Sequence, residues 1–147
     1  MTDRTAESCP RSIQPTRPCY MWIVSISSLQ QQLKAFAGER DWEQFHSPKN
    51  LVMALAGEVG ELTEIFQWLT PDESARVMAD AACASRTRDE LADVLAYLLR
   101  LADVLEVDLE AALTEKIAKN ALKYPVHASR STAAKYTDLP GHETNDC

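Results

Sequence analysis

From Ser47 to Leu69 apolar residues recur at the three- and four-residue spacing of a helix, and nothing in that stretch alternates as a strand would. Ser47 is placed as an N-cap and Pro48 at the first helical position, so the pattern predicts a long helix running to about Leu69, where Thr70 and Pro71 stop it. At about 100° per residue, Leu51, Leu55, Val59, Leu62, Ile65, Phe66 and Leu69 share one face. Glu58 lies inside that face and Glu61, about 60° round, lies at its edge. A carboxylate left unpaired in an apolar stripe costs several kcal/mol or takes up a proton. The helix therefore demands a compensating partner.

The rest of the chain reads in the same way. Leu29, Leu33 and Phe36 mark a first helix, capped by Ser27 or Ser28 and running to about Arg40. A polar, alanine-rich connection spans about 71–86, with room for one short helix. Thr87 and Glu90 form a capping-box pattern that opens a third helix to about Leu105, and Asp108 opens a fourth, which Pro125 ends after Tyr124. No alternating run with turn chemistry suggests a sheet. The expectation is an all-α chain, a four-helix bundle with short links. Residues 1–25, rich in Pro, Ser and Thr, read as a disordered tail, which makes Met21 the candidate functional start; 26–127 read as the working domain and 128–147 as an irregular tail to which Lys135, Tyr136 and Leu139 can bring docking groups.

The third helix repeats the acid arrangement of the second. Glu90 falls among Val94, Tyr97, Leu98, Leu101 and Leu105, and Asp93 sits at the edge of that stripe. Four carboxylates should thus converge between two helices. Neither stripe contains Arg or Lys to pair with them, and Arg100 lies at the edge beside Asp93. An all-oxygen, histidine-free cluster selects a hard cation, Mg²⁺ or Mn²⁺, over zinc. On the fourth helix, Leu109, Leu113, Ile117 and Tyr124 form the stripe, with Asn120 inside it and Lys116 at its edge. A cation and an amide so placed suit a phosphate oxygen and a sugar, phosphate or base edge. Trp42 and Trp68 are candidate platforms for a flat base. Glu64 continues the Glu58 and Glu61 series toward solvent and reads as a surface acid.

Bulk composition narrows the ligand. A net charge of -7 argues against a general affinity for nucleic acid, which needs a basic surface. The longest early apolar run, 21–26, is far shorter than the roughly 20 residues of a membrane span. Cys9, Cys19, Cys83 and Cys147 show neither CxxC spacing nor a disulfide framework, so a reducing cytoplasm is the expected location.

Glu58-Val-Gly-Glu61, 28 intervening residues and Glu90-Leu-Ala-Asp93 resemble the ExxE…ExxD signature of MazG-like pyrophosphohydrolases. Arg40 to His46, Gly57 to Trp68, and Asn120 through Lys123-Tyr124-Pro125 are similar to the dCTP pyrophosphatase branch, over about residues 29–139. The resemblance implies an all-α fold assembling as a homodimer or homotetramer, with Glu58, Glu61, Glu90 and Asp93 as Mg²⁺ ligands. It also implies substrate-pocket roles for Trp42, Trp68, Tyr97, Lys116, Asn120 and Tyr124. Animal members of the branch carry a histidine nine residues before Trp42, where this chain has Leu33, so a polar contact near the base is missing.

The expected activity is Mg²⁺-dependent hydrolysis of a nucleoside triphosphate, dCTP or a related modified deoxynucleotide, to monophosphate and pyrophosphate. The cation neutralises the triphosphate, Glu61 accepts the proton of the attacking water, and Lys116 steadies charge on the phosphates. The competing reading is a non-catalytic helical dimerisation module. A di-iron carboxylate bundle would need ExxH motifs that His46, His127 and His142 do not form.

Overall fold

The computed structural model of the chain describes residues 25–139, and no strand occurs among them. The segment expected as an N-terminal tail, including Met21, lies outside the described residues apart from Ser25, as do residues 140–147. The helices are α1 (Ile26–Gly38), α2 (Pro48–Phe66), α3 (Pro71–Ser74), α4 (Ala81–Val104), α5 (Leu109–Lys123) and α6 (Val126–Ser129). The fold is all-α, and its four long helices are those the periodicity predicts.

Two helix starts differ from expectation, and both differences come from a nearer or stronger cap. Ser25 caps α1, accepting from the Ser28 N–H at 3.1 Å while the Ser28 hydroxyl accepts from the Ser25 N–H at 3.0 Å. At α4 the correction is larger. Asp80 accepts from the Cys83 N–H at 2.8 Å and starts the helix at Ala81, two turns before the Thr87 and Glu90 pattern. The alanines at 81, 82 and 84 favour helix strongly enough to carry it from there. Thr87 sits buried within α4, its hydroxyl donating to the Cys83 carbonyl at 2.8 Å, which is how a mid-helix threonine is satisfied. Thr70 does more than stop α2: with Glu73 it forms a capping box that starts α3. Ser47 caps α2, with Pro48 at its first turn, and Asp108 caps α5, both as expected.

Two helices end in the same kind of turn. After α1, Asp41 adopts φ 53° and the Trp42 N–H returns to the Ala37 carbonyl at 3.0 Å, while the Asp41 N–H reaches the Gly38 carbonyl at 3.1 Å. This is a Schellman end with aspartate in the left-handed position usually held by glycine. It folds Trp42 back onto Phe36, with ring centroids 5.8 Å apart and edge to face. Glu106, at φ 55°, closes α4 in the same manner, the Val107 N–H returning to the Ala102 carbonyl at 2.9 Å.

α2 and α4 form the principal packed pair, with α1 laid against α4. Leu51 of α2 and Leu99 of α4 are the largest fully buried side chains, and Ala37, Ala84 and Ala102 let the backbones approach around them. Truncating either leucine to alanine would cost roughly 2–5 kcal/mol. α5 has no comparably broad contact within the chain, and its Leu113 and Ile117 stay about 60% exposed. Beyond α6 the chain returns to the domain: Leu139 is buried, and Tyr136 meets Tyr124 edge to face at 6.0 Å.

Candidate functional site

The α2–α4 pairing brings one carboxylate oxygen each of Glu58, Glu90 and Asp93 within 4.8 Å of one another. Glu58 and Glu90 are half-buried, and Asp93 is exposed at the rim. The Glu58 carboxyl is pushed above the ordinary carboxylate range, first by burial and then by the charges of Glu61, Asp93 and Glu90. Glu61, one turn along α2, thus contributes field to the cluster but stands outside the close triplet. No cationic side chain is ion-paired to any of these acids among the described residues. The donor set is all hard oxygen and the repulsion is uncompensated, which is what a hard divalent cation would relieve.

Beside the cluster opens a cavity of about 300 Å³. Its walls are apolar, formed by Leu33, Phe36, Ala37 and Ala96 with Trp42 and Tyr97, while Asp93, His46 and Arg100 supply polar groups. Helical geometry explains the order: Asp93, Tyr97 and Arg100 are spaced four and three residues apart and share one face of α4. Asp93 therefore belongs to both the acid cluster and the cavity wall. Such a concave, largely apolar space with a few convergent polar groups suits a small flat ligand carrying charge at one end.

Of the residues singled out from the sequence, Glu58, Glu90, Asp93, Trp42 and Tyr97 come together here, with Glu61 adjoining. Trp68, Lys116, Asn120 and Tyr124 do not line this cavity within one chain. Trp68 stands 86% exposed beyond the end of α2, Lys116 is exposed on α5, and Asn120 is half-buried in the last turn of that helix. Leu33 does line the cavity, so the position where a polar group is missing is a wall position.

Sequence reasoning left out the polar floor. Arg100 is only 7% exposed; its Nε–H donates to His46 Nδ1 at 3.1 Å, one terminal nitrogen pairs with Asp103, and the other lies 3.7 Å from Glu43. The register from Asp93 through Tyr97 to Arg100 was the available signal for the arginine, but nothing local links it to Glu43 and His46. Burial, then the Arg100 charge, hold the His46 imidazole below its ordinary range, against the opposing pull of Glu43.

Comparison with known proteins places this arrangement. Residues 54–139 match the MazG-like family. The curated relatives include dCTP pyrophosphatase 1 of Bos taurus, 49% identical over 111 residues, covering 76% of this chain and 66% of the relative. That of Homo sapiens is 50% identical over 105 residues, covering 71% and 62%. The chain thus spans somewhat less than two thirds of the length of these relatives. A crystal structure of a pyrophosphatase from Archaeoglobus fulgidus DSM 4304 superposes with a TM-score of 0.63 at 40% identity, covering 68% of this chain and 92% of that one. By the extent of the match and the identity shared over it, the chain belongs to the MazG-like family.

Proposed function

We propose that this protein is a Mg²⁺-dependent nucleoside triphosphate pyrophosphohydrolase that acts on dCTP or a related modified deoxynucleotide, serving house-cleaning of a cytoplasmic nucleotide pool. The observation that carries the proposal is the double membership of Asp93, which joins a cation-seeking acid cluster to a base-sized apolar cavity. Triphosphate would lie over the acids and base within the cavity. The relatives named dCTP pyrophosphatase 1 support the substrate class. With a net charge of -7 the chain suits a free nucleotide accompanied by its cation better than nucleic acid.

Glu58, Glu90 and Asp93 would hold the cation, with Glu61 completing the set. Bound Mg²⁺, or Mn²⁺ in its place, supplies charge neutralisation and Lewis acidity at the phosphates. Glu61, on the exposed edge of α2, takes the proton of the attacking water as the water oxygen bonds to phosphorus and the anhydride bond to pyrophosphate breaks. Trp42 and Tyr97 hold the base and exclude water from it. The open α5 stripe of Leu113 and Ile117 supports assembly as a homodimer or homotetramer, which would cover it and bring Trp68, Lys116, Asn120 and Tyr124 to a substrate, Lys116 steadying the phosphates.

Release of pyrophosphate from a nucleotide panel, with and without Mg²⁺, is the test. Turnover requiring Mg²⁺ and strongest with deoxycytidine nucleotides is the expected result. Oligomerisation without turnover of any nucleotide would instead establish the helical dimerisation module.

A further inference from the structure

Arg100 is the one buried cation on the cavity wall, and its hydrogen bonds determine what it does there. Its charge is shared between Asp103 and Glu43, so it is not an open phosphate-binding group. A guanidinium has donors only and keeps its proton throughout the physiological range. His46 Nδ1, which receives the Arg100 Nε–H at 3.1 Å, must therefore be the unprotonated nitrogen. The ring's single proton then sits on Nε2. Among the described residues no acceptor meets that Nε2–H, and no buried side-chain nitrogen or oxygen lacks a partner, so the donor is solvent-accessible, on a residue that lines the cavity.

The turn that carries His46 is held by its own bonds. The His46 N–H bonds to the Glu43 carbonyl at 3.1 Å, and the Asn50 side chain donates to the Phe45 carbonyl at 3.0 Å, tying this turn to the start of α2. Turn backbone and ring tautomer are thus both specified before any ligand arrives.

We propose that Arg100 is a positioning residue for nucleobase recognition: it clamps His46 as the Nε2–H tautomer, so the cavity offers a fixed donor to a carbonyl oxygen of a pyrimidine base. This rests on reading the cavity as the base pocket of the pyrophosphohydrolase. Burial and the Arg100 charge, which keep His46 below its ordinary range, act in the same direction as the clamp. Tyr97 and Trp42 supply apolar surface, and the Arg100–His46 pair supplies direction. Purine bases without a carbonyl, such as adenine, would leave the donor unpaired and lose affinity accordingly.

The test uses the full chain. Long-range ¹H–¹⁵N spectra at neutral pH should show His46 neutral, with Nδ1 unprotonated and Nε2 protonated; Arg100→Met should convert it to a mixture of tautomers. In turnover, Arg100→Met should raise KM for dCTP about tenfold, the size of one lost hydrogen bond, and leave KM for dATP nearly unchanged. Its kcat and its half-activating Mg²⁺ concentration should stay within about twofold of the wild type, as for lost ground-state binding. A wild-type imidazolium or Nδ1–H ring, or an unchanged KM for dCTP in the variant, would overturn the proposal. If Arg100→Met does not fold, His46→Phe keeps a ring in place and should show the same selective rise in KM; equal KM values for the wild type and His46→Phe would overturn it. Should the wild type release no pyrophosphate from any nucleotide, the enzymatic reading fails on its own, and titration with dCMP decides the inference. A shift of the His46 Nε2–H resonance on adding dCMP supports it, and no shift overturns it.

Discussion

Asp93 and Tyr97 stand one turn apart on the same face of α4, Asp93 at the acid cluster and Tyr97 on the cavity wall. That single turn sets the distance from charge to aromatic surface, about 6 Å along the helix axis. A change at either end of it should affect one ligand component and spare the other.

Glu58→Gln tests the acid end. The raised Glu58 carboxyl means that the folded state binds its proton more tightly than the unfolded chain does. Its unfavourable contribution is thus absent below the ordinary value of 4.5 and full once pH exceeds the raised folded value. In EDTA at pH 7 the variant should melt at or above the wild-type temperature, and the gap should close below pH 4.5. Millimolar Mg²⁺ should reverse the order, since a ligand bound only by the folded state stabilises the protein that retains the full site. Turnover should be almost abolished. A variant less stable than wild type in EDTA, with Mg²⁺ moving neither melting curve, would rule out the cation site.

Trp42→Ala tests the aromatic end. Base stacking is worth roughly 1–3 kcal/mol, so KM should rise between about fivefold and a hundredfold, with the Mg²⁺ dependence of melting retained. Parallel loss of Mg²⁺ stabilisation would show instead that Trp42 supports the fold around Phe36.

Assembly should depend on α5. Leu113→Lys together with Ile117→Glu places charge on the uncovered stripe without touching the acid cluster. Sedimentation should show a monomer in place of a larger species, with circular dichroism preserved and turnover sharply reduced. Wild-type sedimentation as a monomer would remove the proposed role of a second copy.

His46 introduces a pH dependence of the opposite sign to that of Glu58. Its lowered folded value means that the contribution of the neutral ring is complete above 6.5 and is lost as pH falls through the folded value. Melting temperature should fall below pH 6.5 more steeply for the wild type than for His46→Phe. Parallel curves would show that the ring is not held neutral.

The start of α4 can be checked by exchanging caps. Asp80→Ala should lower the melting temperature by a few degrees, because the Cys83 N–H loses its acceptor. Amide exchange should then quicken from residue 81 onward. If protection near residues 81–85 were absent already in the wild type, the helix would begin at Thr87 instead.

Most of the helical framework was legible in the sequence because its signals act within one turn. Ser47 before Pro48, Asp108, and Pro125 after Tyr124 each satisfy or block backbone groups only a few residues away. The same short range placed Glu58 and Glu90 in apolar stripes and made their convergence foreseeable. Where local signals competed, the tertiary structure chose: Asp80 over Thr87 at α4, and Asp41 in a left-handed turn that carries Trp42 onto Phe36. The Arg100 and His46 pair lay beyond sequence reading altogether, since its partners are 54 residues apart and meet only when the turn before α2 packs on α4. Spacing along a helix is determined by backbone geometry, whereas the burial of a charge and the partner that compensates it are decided when separate elements close upon one another.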